Sequence, residues 1–170
     1  MSGKNYNAGK KNEKASYAPM REKGFYKPNS GKSKKDRANI KAAYLMFGKE
    51  IKSTAYDLID DKHRPILNDP RKILAQLQKG DFILYELKTA GADRESDVEE
   101  GFGSGFGFTL TENEEYNHSI LGDDGYKFIF LNLKTSECLK LNKNDFYEQA
   151  TFSGTKSVQM QKPVTNGIPL

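Results

Sequence analysis

The chain has 170 residues and a mass of 19.2 kDa, with 27 Lys+Arg against 23 Asp+Glu, a net charge of +4 and a mean hydropathy of −0.78. No stretch approaches the ~20 apolar residues of a membrane-spanning helix, and no apolar segment follows the basic start, so neither a membrane partner nor a secretory leader is expected. One cysteine excludes an internal disulfide, and with only two, widely spaced histidines there is no cluster for structural zinc.

Charge is distributed unevenly. Residues 1–38 hold 11 basic and 3 acidic side chains, a net of +8, and the rest of the chain carries −4. This opening is rich in Lys, Asn, Gly and Ser and poor in aliphatic residues. Such a composition predicts a disordered arm, because little apolar burial is available to offset the entropy of ordering. Tyr6, Tyr17, Phe25 and Tyr26 are interleaved with the cations. Basic groups release condensed counterions on contact with phosphates, and rings can stack on bases. Lys10, Lys11, Lys14, Arg21, Lys32, Lys34, Lys35 and Arg37 are therefore the candidate nucleic-acid contacts. The plainer reading is a solubilising tail.

Ile40, Tyr44, Phe47, Ile51, Ala55 and Leu58 recur at three- and four-residue steps and predict a helix over 38–59, capped by Asp36 or Asn39. Residues 60–68 form a polar connection broken by Pro65. Asp69 as N-cap, Pro70 in the first turn and Gly80 as a left-handed stop define the next helix. DFILYELKTAG, from residue 81, reads as a strand that opens into a polar end. Residues 91–105 are acidic and then glycine-rich, a flexible loop, and FGFTL makes a short strand. Thr111 with Glu114 fits a capping box, so a helix runs to about Leu121. YKFIFLNL (126–133) is a second apolar strand, KTSE a turn, CLKL (138–141) its antiparallel return and NDFYEQA a short helix. SVQMQ is expected as an edge strand.

The strand–helix–strand order favours parallel strands with a right-handed crossover. The expected class is α/β (or α+β), a mixed sheet of four to five strands flanked by helices. The expected organisation is a basic arm over 1–38, a single α/β domain over 39–150 and a C-terminal extension over 151–170.

Along a strand, Glu86 and Lys88 point the same way. A carboxylate suits a divalent cation, and an ammonium beside it orients water and offsets phosphate charge. That combination is suited to phosphodiester hydrolysis with Mg²⁺ or Mn²⁺. The plainer reading is a surface ion pair, a contact that stabilises by only about 0–1 kcal/mol.

Glu86-Leu87-Lys88 at the end of an apolar strand, followed by a helix and another apolar strand, resembles the E-x-K half of the PD-(D/E)XK nuclease superfamily. Glu86-Leu87-Lys88-Thr89, Phe108-Thr109-Leu110-Thr111-Glu112-Asn113-Glu114 and Tyr126-Lys127-Phe128-Ile129 together resemble the branch typified by the C-terminal domain of the plant NO VEIN protein. The match spans about residues 81–135. It implies a restriction-endonuclease-like core, DNA as partner with RNA as the second candidate, and catalysis by Glu86 and Lys88. It also requires an Asp on an earlier strand. Asp57, in Ala55-Tyr56-Asp57-Leu58, is similar to the family's G-Y-D-I phrase and is the first choice to join Glu86 on the metal; Asp69 is the second. Asp57 can serve only if residues 55–60 are extended, against the helix expected there, and 62–80 are an insertion. Glu50 is a candidate helix carboxylate for the same site.

GFGSGFGF (101–108) lacks the Lys-[Ser/Thr] of a phosphate-binding P-loop and reads as a hairpin loop or flap. Cys138 reads as a buried small hydrophobe and His118 as a surface residue. The leading expectation is an intracellular, cytoplasmic endonuclease, with nucleoid or nucleus compatible and a homodimer also compatible. The alternative is a non-catalytic nucleic-acid-binding or adaptor module on a degenerate nuclease fold.

Overall fold

The structure, a computed structural model, describes residues 14–90, 106–133, 136–148, 150–153, 157–160 and 168–170. Lys10 and Lys11 of the expected arm, and the loop 91–105, lie outside these residues. In chain order the first elements are helix α1 over residues 14–22, strand β1 (Phe25–Tyr26), helix α2 (Asp36–Met46), strand β2 (Ile59–Asp60), a 3-10 helix (Asp61–Ile66), helix α3 (Pro70–Gln78) and strand β3 (Leu84–Ala90). Strand β4 (Phe106–Thr109), helix α4 (Glu112–Gly125), strands β5 (Tyr126–Asn132) and β6 (Cys138–Leu141) and helix α5 (Lys143–Glu148) follow. Strands β7 (Ala150–Ser153), β8 (Ser157–Met160) and β9 (Ile168–Pro169) complete the chain.

The fold is mixed α/β, as the sequence implies. A four-stranded sheet has the order β3-β5-β6-β9, a three-stranded sheet has the order β4-β8-β7, and β1 pairs with β2. Contacts divide the chain into two units. One comprises residues 24–86 and 112–127; the other comprises the residues up to 23, 87–111 and 128–170. No helix among the described residues is long and apolar enough to cross a membrane.

In the first of these units, α2 packs Ile40, Ala43 and Tyr44 inward, and α3 contributes Ile73 and Leu77. The boundaries of α3 follow local chemistry as expected. The Asp69 side chain accepts from the Arg71 amide at 2.9 Å, Pro70 opens the helix, and Gly80 follows it at φ +72°. The helix expected over 38–59 instead stops at Met46. Gly48 takes φ +80°, the Lys49 amide bonds the Tyr44 carbonyl and the Gly48 amide bonds the Leu45 carbonyl. This is a Schellman ending, available because glycine has no Cβ to oppose the left-handed turn. Ile51, Ala55 and Leu58 are buried all the same, delivered by irregular and extended backbone rather than by a helix face.

In the other unit, β5 is buried on both faces through Phe128, Ile129, Phe130 and Leu131, and it pairs antiparallel with β6 in the register Phe128↔Leu141 to Leu131↔Cys138. Two expectations are corrected. The basic opening is not an arm as far as residue 38: residues 14–22 are helical, and Met20 is fully buried against the Cys138 sulfur at 4.0 Å. Phe25, in turn, is buried in the unit that begins at residue 24, edge-on to Tyr85 at 5.0 Å between ring centroids. The SVQMQ strand is not an edge either, because β8 lies between β4 and β7 and pairs antiparallel with both.

Candidate functional site

The segment from Lys49 to Asp57 has no regular helix or strand, and buried carbonyls in such a segment need donors from elsewhere. Side chains supply them. Tyr116 Oη donates to the Glu50 carbonyl at 2.8 Å. Asn117 Nδ2 donates to the carbonyls of Lys52 at 3.0 Å and Ala55 at 3.3 Å, while its Oδ1 accepts from the Lys52 amide at 2.8 Å. Arg37 Nη1 donates to the carbonyls of Ser53 at 2.8 Å and Tyr56 at 3.0 Å, and the guanidinium lies 4.5 Å above the Tyr56 ring. Tyr126 Oη donates to the Ala55 carbonyl at 2.7 Å. Elements far apart in sequence thus fix the segment that ends at Asp57.

Beyond it the backbone is extended. Leu58 bridges Tyr85 of β3 in antiparallel register, with bonds of 3.1 and 2.9 Å in the two directions. The Asp57 amide also donates to the Tyr85 carbonyl, at 2.8 Å. Two residues facing one carbonyl is the arrangement of a β-bulge, a device that re-aims a side chain. Asp57 is therefore bonded through its backbone to the residue that precedes Glu86. Of residues 55–60, only Leu58 to Asp60 pair as extended backbone; Ala55 to Asp57 belong to the irregular segment.

Glu86 is 9 % exposed, Glu114 of α4 5 % and Tyr126 not at all. The Tyr126 phenol is held far above its usual range, first by burial and then by the negative charges of Glu86, Glu114 and Asp57. Glu114 lies three residues before Asn117, on the same side of α4. No sequence signal singled out Glu114, Asn117 or Tyr126 for this role. The capping-box reading had assigned Glu114 to helix initiation.

The remaining candidates fall elsewhere. Asp69 caps α3 through its carboxylate, which accepts from the Arg71 amide. Glu50 is exposed and lies past the end of α2, so it is not a helix carboxylate. Arg37 donates through Nε to the Pro28 carbonyl and through Nη1 to the Ser53 and Tyr56 carbonyls, so this cation has structural work. Lys14, Arg21, Lys32, Lys34 and Lys35 are exposed. Lys88 stands two residues beyond Glu86 on β3. His118 is half-buried and pairs with Asp123 at 2.7 Å, not a plain surface residue.

Among the described residues no group of three or more His, Cys, Asp or Glu side chains forms a ready-made metal cage. Mg²⁺ commonly takes only one or two carboxylates and completes its shell with water and substrate oxygens. The hard oxygen donors of Asp57 and Glu86 fit that requirement. No family model, curated protein or solved structure matches this chain.

Proposed function

We propose that the protein is a metal-dependent endonuclease-like enzyme that hydrolyses phosphodiester bonds in DNA. The observation that carries this reading is the backbone attachment of Asp57 to β3 at Tyr85, the residue before Glu86. It supports the order of an acid at the start of an extended segment followed by an acid and a lysine on a neighbouring strand. Asp57 and Glu86 would hold Mg²⁺ or Mn²⁺. The ion would supply charge neutralisation at the phosphate and activation of water. Lys88 orients the water and offsets phosphate charge. Glu114, Asn117 and Tyr126 act on position: they fix the loop and the field around the two ligands.

The test is conversion of supercoiled plasmid to nicked and linear forms in the presence of Mg²⁺. The wild-type protein is expected to cut, and Glu86→Ala and Lys88→Ala to lose about 10²-fold or more of the rate. Intact DNA and RNA substrates in every wild-type reaction would overturn the catalytic reading. Salt-dependent binding that survives Glu86→Ala would then favour the non-catalytic module.

A further inference from the structure

A second feature lies away from these carboxylates. A cleft of about 400 Å³ is lined by Tyr26, Lys32, Lys34, Lys35, Asp36 and Arg64, among others. Four cations therefore face one carboxylate, and that carboxylate is already engaged. Asp36 Oδ2 accepts from the Tyr26 hydroxyl at 3.1 Å and from the Asn29 amide at 2.9 Å. None of the four cations forms an ion pair with another described residue. The chain on either side of the lysines is tied down: Asn29 Oδ1 accepts from the Gly31 amide at 2.6 Å, and the Asn29 carbonyl accepts from the Arg37 amide at 3.2 Å. Arg64 lies 5.3 Å from the centroid of the Tyr26 ring, so the cleft offers a flat cation and an aromatic face together.

We propose that this cleft binds the phosphate of a nucleotide, with Lys32, Lys34 and Lys35 taking the phosphate oxygens and the Tyr26–Arg64 pair receiving the base. Repulsion among uncompensated cations is relieved by an anion, and a chain tied down on either side lowers the entropic cost of binding it. Stacking on the ring and guanidinium supplies preference for a nucleotide over inorganic phosphate. Pockets for small ligands are commonly of this size. The phosphate comes either from a free mononucleotide or from the end of a strand. The cleft does not need the metal site, so binding is expected with EDTA present.

The experiment is calorimetric titration of the full chain, in EDTA, with adenosine monophosphate, adenosine, and one oligonucleotide with and without a terminal phosphate. The phosphorylated member of at least one pair is expected to bind about tenfold or more tightly than its partner. Binding by adenosine monophosphate assigns the free nucleotide; binding by the phosphorylated strand alone assigns the strand end. Lys34→Ala/Lys35→Ala and Arg64→Ala should each weaken that binding about tenfold. Glu86→Gln should not change it, which separates this site from the proposed nuclease centre. Equal affinity within both pairs, or unchanged affinity in both folded cleft variants, would overturn the proposal.

Discussion

Asn117 grips Lys52 at both backbone groups, accepting from its amide at 2.8 Å and donating to its carbonyl at 3.0 Å. With its third bond, to the Ala55 carbonyl, this carboxamide does for an irregular segment what a neighbouring strand would do for a sheet edge. Asn117→Ala leaves buried backbone groups without partners, and the expected loss is about 2–4 kcal/mol. Urea unfolding monitored by circular dichroism reads it directly. Asn117→Asp should lose at least as much, because it keeps the acceptor, removes both donated bonds and adds a charge near Glu114.

Arg37 gives a sharper contrast, since the composition of its surroundings suggests a phosphate contact and its bonds show structural work. Arg37→Ala should destabilise the protein by about 2–3 kcal/mol. DNA binding, measured where the variant is still folded, should keep the wild-type dependence on salt. Lys35→Ala should do the reverse: stability unchanged, and the slope of log affinity against log salt reduced by about one. A flattened slope in Arg37→Ala would return that residue to the nucleic-acid interface.

Asp69 and Asp57 are separated by a simple pair of substitutions. Asp69→Ala removes the cap of α3 and should cost about 1 kcal/mol in thermal or chemical unfolding. Plasmid cleavage by the folded variant should stay at the wild-type rate. A fall in rate comparable to that of Glu86→Ala would show that Asp69, not Asp57, completes the centre.

The parts of the fold that were legible in the sequence are those with local causes. Asp69, Pro70 and Gly80 bound a helix by capping and left-handed geometry, and the alternation of CLKL marks a returning strand. The helix expected over 38–59 ends early because Gly48 takes a left-handed turn that apolar spacing does not reveal. Ile51, Ala55 and Leu58 keep a helical interval while lying on other backbone. The arm failed because composition averages over Met20 and Phe25, which find partners at Cys138 and Tyr85 far along the chain. Within the candidate site, Glu86, Lys88 and Asp57 could be read from short phrases. Glu114 and Tyr126 lie in phrases that could be read, but not with these parts, and Asn117 lies in none; the bonds of Asn117 and Tyr126 reach Ala55, some sixty to seventy positions away.

Cys138 offers a test of the other unit. Burial pushes its thiol up to about 11 from an ordinary value of 9.0, with Lys23 drawing it partly back. At pH 8 the native protein should therefore react with iodoacetamide far more slowly than the urea-unfolded chain. A raised thiol pKa gives a contribution to stability that is complete below the unfolded value and is lost as pH rises toward the folded one. Unfolding midpoints should accordingly fall between about pH 9 and 11, and Cys138→Ser should reduce that fall. Rapid labelling of the native protein would contradict the burial of this side chain.

Asp57 and Glu86 are proposed to hold one divalent cation between them. Titration of the full chain with Mn²⁺, followed by electron paramagnetic resonance of the free ion, tests it without reference to any substrate. The account predicts one bound ion per wild-type chain, and affinity reduced about tenfold or more in Asp57→Asn and again in Glu86→Gln, with both variants folded. Wild-type protein that takes up no Mn²⁺, or variants that bind as tightly as wild type, would contradict it.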